Sequence, residues 1–72
     1  MVFNEYKTVA EYLEEGTEKQ ELRDIFIKII QDLKLEARNL DDFNELKRIK
    51  RKIKNYESRL KTLLPDFDFK KL

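Results

Sequence analysis

The chain has no cysteine and no histidine. That removes disulfide staples, zinc fingers, haem attachment and every nucleophile or base built on thiol or imidazole. The only serine, Ser58, therefore has no histidine to activate it, and general acid/base work would fall to carboxylates, lysines or tyrosines. Glycine and proline occur once each, as Gly16 and Pro65, and tryptophan not at all. One glycine cannot build a phosphate-cradling loop, and two turn-formers among 72 residues leave little punctuation for a strand-rich fold. No long uncharged run is present, nor a cationic segment leading into an apolar one. The expectation is a cytoplasmic protein that neither is secreted nor spans a membrane.

What is there is charge and periodicity. Charged residues make up 43% of the chain. The apolar residues keep helical spacing, which a disordered segment has no need to do. An all-α fold follows, in a single domain so short that it needs either idealised helix packing or a partner to offset the entropy of ordering. The formal charge is only +1, yet residues 1–45 carry six Lys/Arg against twelve Asp/Glu, and residues 46–72 carry ten against three. Halves so opposed attract each other, within one molecule or between two.

The organising stretch is LKRIKRKIKNYESRLKTL, residues 46–63. Leu46, Ile49, Ile53, Tyr56, Leu60 and Leu63 alternate steps of three and four, the seam of a helix that faces another helix. Upstream, Leu22, Ile25, Phe26, Ile29, Ile30, Leu33 and Ala37 form a wider stripe that suits two neighbours. The spacing predicts helices over about 4–15, 18–38 and 42–64 within a helical domain 1–64, followed by a tail 65–72. Phe3, Tyr6, Ala10 and Leu13 supply the face of the first, with Val9 beside them. Asn4, or Thr8 with Glu11 as a capping box, starts it, and Gly16 ends it. Thr17 with Gln20 reads as a second box, and after a stop near Asn39 either Asp41 or Asp42 caps the next helix, Asp42 standing at the box spacing from Glu45. Pro65 denies Leu64 the helical region. The result is an antiparallel helical hairpin with a short N-terminal helix packed across it. Self-association, most simply as a dimer, covers what apolar surface remains. A turn at 39–42 is preferred to one rod from 18 to 64 because it lays the acidic half on the basic half.

Function reads as binding. Asp41, Asp42 and Glu45 at a helix start are explained by capping and the helix dipole, without a metal, and no cofactor is implied. A helix-turn-helix about Gly16 fails, because Tyr12 stands where a small side chain is needed and Glu18 and Glu21 would oppose phosphate. LKRIKRKIKNYES resembles the basic region of basic leucine zipper transcription factors, with Asn55 and Ser58 at that family's spacing. The resemblance covers thirteen residues only. Leu63 replaces the expected arginine, Pro65 stops the helix where a zipper should begin, and the apolar seam runs through the basic run itself.

The reading is a non-enzymatic protein–protein interaction module, an adaptor, assembly factor or inhibitor that docks helix to helix. Its packing surface is the six-residue seam. Candidate partner contacts are Ile27 and Leu35, which fall outside the stripe, and Phe67 and Phe69 of the tail. The alternative is an accessory protein that binds nucleic acid through Lys47, Arg48, Arg51 and Lys54. Lysines flanking the seam, Lys50 and Lys52, are expected to pair with Asp24, Asp32 and Glu36.

Overall fold

The structure is a computed structural model that describes residues 3–71. Three α-helices follow one another, α1 (Val9–Glu14), α2 (Lys19–Arg38) and α3 (Phe43–Leu63), before a short 3-10 turn at Phe69–Lys71. The described residues contain no strand. α2 and α3 form the antiparallel hairpin. The longest dimension is 40 Å, against roughly 70 Å for an unbroken helix over 18–64 at 1.5 Å per residue.

α1 is shorter than the spacing predicts. Thr8 caps it, its hydroxyl accepting the Glu11 N–H at 3.2 Å and donating to the Glu11 carboxylate at 3.3 Å. Residues before Thr8 are not helical because Asn4 spends its groups on a local turn. Its side-chain oxygen accepts from the Tyr6 N–H at 2.9 Å, and its carbonyl accepts from the Lys7 N–H at 3.2 Å. The Tyr12 hydroxyl then clamps the same residue, accepting its N–H at 2.6 Å and donating to its carbonyl at 2.5 Å. The stripe counted from Phe3 through Tyr6 and Ala10 is accordingly not one face. Tyr6 and Ala10 are exposed, while Val9 and Tyr12 are buried.

Gly16 ends α1 as predicted, at φ +91°, a conformation that disfavours any residue with a Cβ. Around it the Thr17 N–H bonds to the Tyr12 carbonyl at 3.0 Å and the Gly16 N–H to that of Leu13 at 3.1 Å. This pair of bonds is the Schellman arrangement. It commits the Thr17 N–H to finishing α1, and α2 is capped at Glu18, one residue later than the Thr17–Gln20 box predicts, with no capping bond from the Glu18 side chain. At the other end of α2, the Asn39 N–H bonds back to Glu36 and Ala37. Asp42 caps α3 through its side chain, which accepts from the N–H groups of Asn44 at 2.9 Å and Glu45 at 3.4 Å. Pro65 follows the last cap, Leu64.

The core gathers at the open end of the hairpin. Tyr12, Leu22, Phe26, Ile30 and Leu60 are fully buried, joined by Val9, Tyr56 and Leu63. Each such side chain contributes about 1.5–3 kcal/mol through the water it sheds. Phe3 completes the cluster from outside any helix. Its ring centroid lies 6.0 Å from that of Tyr12, 6.1 Å from Phe26 and 6.2 Å from Tyr56. The tail closes the same end, with Phe67 and Phe69 edge to face at 5.1 Å and both packed on the core.

Candidate binding surface

α3 has two faces with separate jobs. Along the seam, Ile49, Tyr56, Leu60 and Leu63 are buried and Leu46 and Ile53 half-buried, covered by α2 and, toward the open end, by α1 and Phe3. Ile27, Phe67 and Phe69 are half-buried against the chain's own core. Of the four candidate partner contacts only Leu35, at 59%, is exposed.

The back of α3 is cationic and bare. Lys47, Arg48, Arg51 and Lys54 on the back, and Lys50 and Lys52 flanking the seam, are all exposed. The expected pairing of Lys50 and Lys52 with Asp24, Asp32 and Glu36 does not occur: among the described residues no ion pair joins α2 to α3. Asp24 is taken by its neighbour Arg23 at 2.9 Å, and the other ion pair, Lys7 with Glu15 at 2.6 Å, lies before and at the end of α1. The physical reason is the placement of the acids. α2 sets Glu21, Asp24, Asp32 and Glu36 against Lys19, Arg23, Lys28, Lys34 and Arg38, so its charge is nearly balanced, and only Glu36 borders the hollow with Arg48, Arg51 and Lys52, without an ion pair. The surplus acid of residues 1–45 sits around α1 and at the hairpin turn. Apolar burial, not charge attraction, holds the hairpin.

Two cations differ from the rest. Arg59 is half-buried, its guanidinium 5.3 Å from the Tyr56 ring centroid, and its buried Nη1 has no hydrogen-bond partner among the described residues. It serves the packing. Lys47 reaches over the Phe43 ring at 4.7 Å. Phe43 itself is 67% exposed at the start of the basic stretch, an aromatic contact point that apolar periodicity does not flag, since it lies outside the seam.

The titrating groups that depart from their ordinary values lie at the open end. Burial pushes the Tyr56 phenol up, and the Glu5 carboxylate facing it adds to the rise, while Arg59 opposes it. The hydrogen bond to Glu15 raises Lys7.

An open groove of 650 Å³ runs between the N-terminal segment and the hairpin, lined by Phe3, Asn4, Glu5, Tyr6, Ile29, Leu33, Lys52 and Tyr56. Its titratable lining groups are Glu5, Tyr6, Lys52 and Tyr56. Among the described residues no group of three or more Asp and Glu side chains could hold a metal ion, and no helix is long and apolar enough to cross a membrane. No protein-family model, curated protein or solved structure matches the chain.

Proposed function

We propose that the protein is a non-enzymatic binding module that holds an anionic partner against the exposed back of α3. One observation carries the reading: Lys47, Arg48, Lys50, Arg51, Lys52 and Lys54 crowd one helix with no carboxylate of the described residues in ion-pair contact with them. Lys47 with Arg51, Arg48 with Lys52, and Lys50 with Lys54 are like charges four residues apart. Each such pair costs a helix about 0.2–0.5 kcal/mol, which a partner's anions would relieve. Among the described residues Lys47 lies over the Phe43 ring, and Lys52 borders the groove beside Ile29, Leu33 and Tyr56.

Elution from a heparin column tests the reading. The wild-type chain should need well above physiological salt to elute, and the variant K47Q/R48Q/R51Q/K54Q should elute near it with unchanged helicity and a stability within about 0.5 kcal/mol. Equal elution of the two ends the proposal. Docking of a protein partner helix to helix retains Leu35 as its support, exposed on α2 away from the core. Under that reading Leu35→Lys abolishes partner capture and the four glutamines leave it intact.

A further inference from the structure

Resting on that reading, we infer that the anionic partner is double-stranded DNA, with the back of α3 lying in the major groove and its cations on the flanking phosphates. Shape is the first argument. The back of α3 is convex and uncovered from Lys47 to Lys54, and Ser58, Lys61 and Thr62 continue the exposed face toward its C-terminal end. A helix with its side chains is about 10–12 Å across and the major groove of B-DNA about 12 Å wide. The major groove of duplex RNA is too deep and narrow to admit it.

Charge placement is the second argument. Lys47, Lys50, Lys54 and Lys61 follow one another at three-, four- and seven-residue steps and so share one flank, a line about 21 Å long at 1.5 Å per residue. Arg48 lies toward the other flank, with Arg51 between them. Cations on both sides of a convex ridge match phosphates on both sides of a groove. Acids stand only at the two ends of this arc: Asp42 and Glu45 border a hollow with Lys47, Arg48 and Arg51, and half-buried Glu57 lies between Lys54 and Lys61.

The third argument separates duplex from single strand. Sequence-tolerant binding of single strands relies on a cationic groove with several aromatic rings for the bases to stack on. This surface is convex, Tyr56 is buried in the seam, and the exposed ring on α3, Phe43, lies at the end of the stripe beneath the Lys47 ammonium. The contacts are therefore with phosphate, independent of base sequence.

Fluorescence anisotropy of a labelled duplex of about 20 base pairs tests this, with duplex RNA of the same sequence, the single strand and poly-glutamate as competitors. Five phosphate contacts give a slope of log K on log salt near −4.5, so affinity should fall by about 500-fold between about 50 and 200 mM salt. Lys54→Gln, on the flank, should reduce the slope by about one. Each competitor should be at least about tenfold weaker than the DNA duplex. If RNA duplex, single strand or poly-glutamate competes equally, the DNA assignment falls while the cationic docking face stands. If neither DNA nor heparin is bound, both fall together.

Discussion

The two ends of the hairpin are built differently. At the open end, where α2 begins and α3 finishes, the chain's own extremities return: Phe3, Val9 and Tyr12 from one side, Phe67 and Phe69 from the other, around Leu22, Phe26, Ile30 and Leu60. At the turn end there are only two helices. Ile49 is buried there yet stands outside the main cluster, Leu33, Ala37, Leu40 and Leu46 are half-buried, and Leu35 and Phe43 are exposed. Between the helices at that end, Glu36, Glu45, Arg48, Arg51 and Lys52 line a polar hollow. Two helices can each hide one stripe from water, and a third layer is needed to seal the margins of those stripes. The open end has that layer and forms the core; the turn end lacks it and carries the bare cations.

Substitution at each end exposes the contrast most directly. Phe26→Ala should cost about 3–5 kcal/mol and Ile49→Ala about 2 kcal/mol, since the latter site can collapse and admits water. A chain of this length has only about 4–11 kcal/mol of stability to lose, so the first change brings it near unfolding. Urea denaturation of both variants measures the difference, and equal losses would show that the turn end is as firmly packed as the open end. A smaller effect sharpens how the N-terminal segment is held. Tyr12→Phe keeps the ring in the core and removes both bonds to Asn4, whose exposed backbone can turn to water; the expected cost is about 1 kcal/mol, with faster amide exchange confined to residues 3–8.

The smallest effect is a pH dependence located at the open end. Tyr56 has its pKa raised by burial and by Glu5, so the unfolded chain loses this proton first as pH climbs. Its contribution to stability is complete below the ordinary phenol value near 10 and disappears as pH rises through the higher folded value. Lys7, also raised, acts in the same direction from its ordinary value of 10.5 upward. Stability measured by denaturation should therefore decline above about pH 10, and Tyr56→Phe should flatten part of that decline while leaving the slope below it unchanged. A variant with an unaltered alkaline slope would remove Tyr56 from the account.

The two long helices were legible because their information is local and periodic, whereas the turn between them was preferred for a charge match that the structure does not make. Leu46 through Leu63 hold the three-four alternation without a break, Asp42 and Gly16 mark a start and a stop by chemistry that few residues share, and Pro65 stands just past the last cap. The first helix was less legible because Asn4 can begin a helix or close a turn, and the clamp that decides between them comes from Tyr12, eight residues on. Charge misled for a related reason. A count over residues 1–45 merges acids near α1 with a nearly balanced α2, and pairing depends on which side chains face each other. Phe43 gave no signal in an apolar pattern, since exposure is a property of what fails to cover a residue.

By itself the amino-acid order determined the two longer helices and the stop at Gly16, because those depend on contacts within a few residues along the chain. Only the tertiary structure decided which aromatic rings meet, that the tail and the N-terminal segment seal one end, and that the cations of α3 are left facing water. Those outcomes depend on distances between residues far apart in sequence, which periodicity along one helix does not specify.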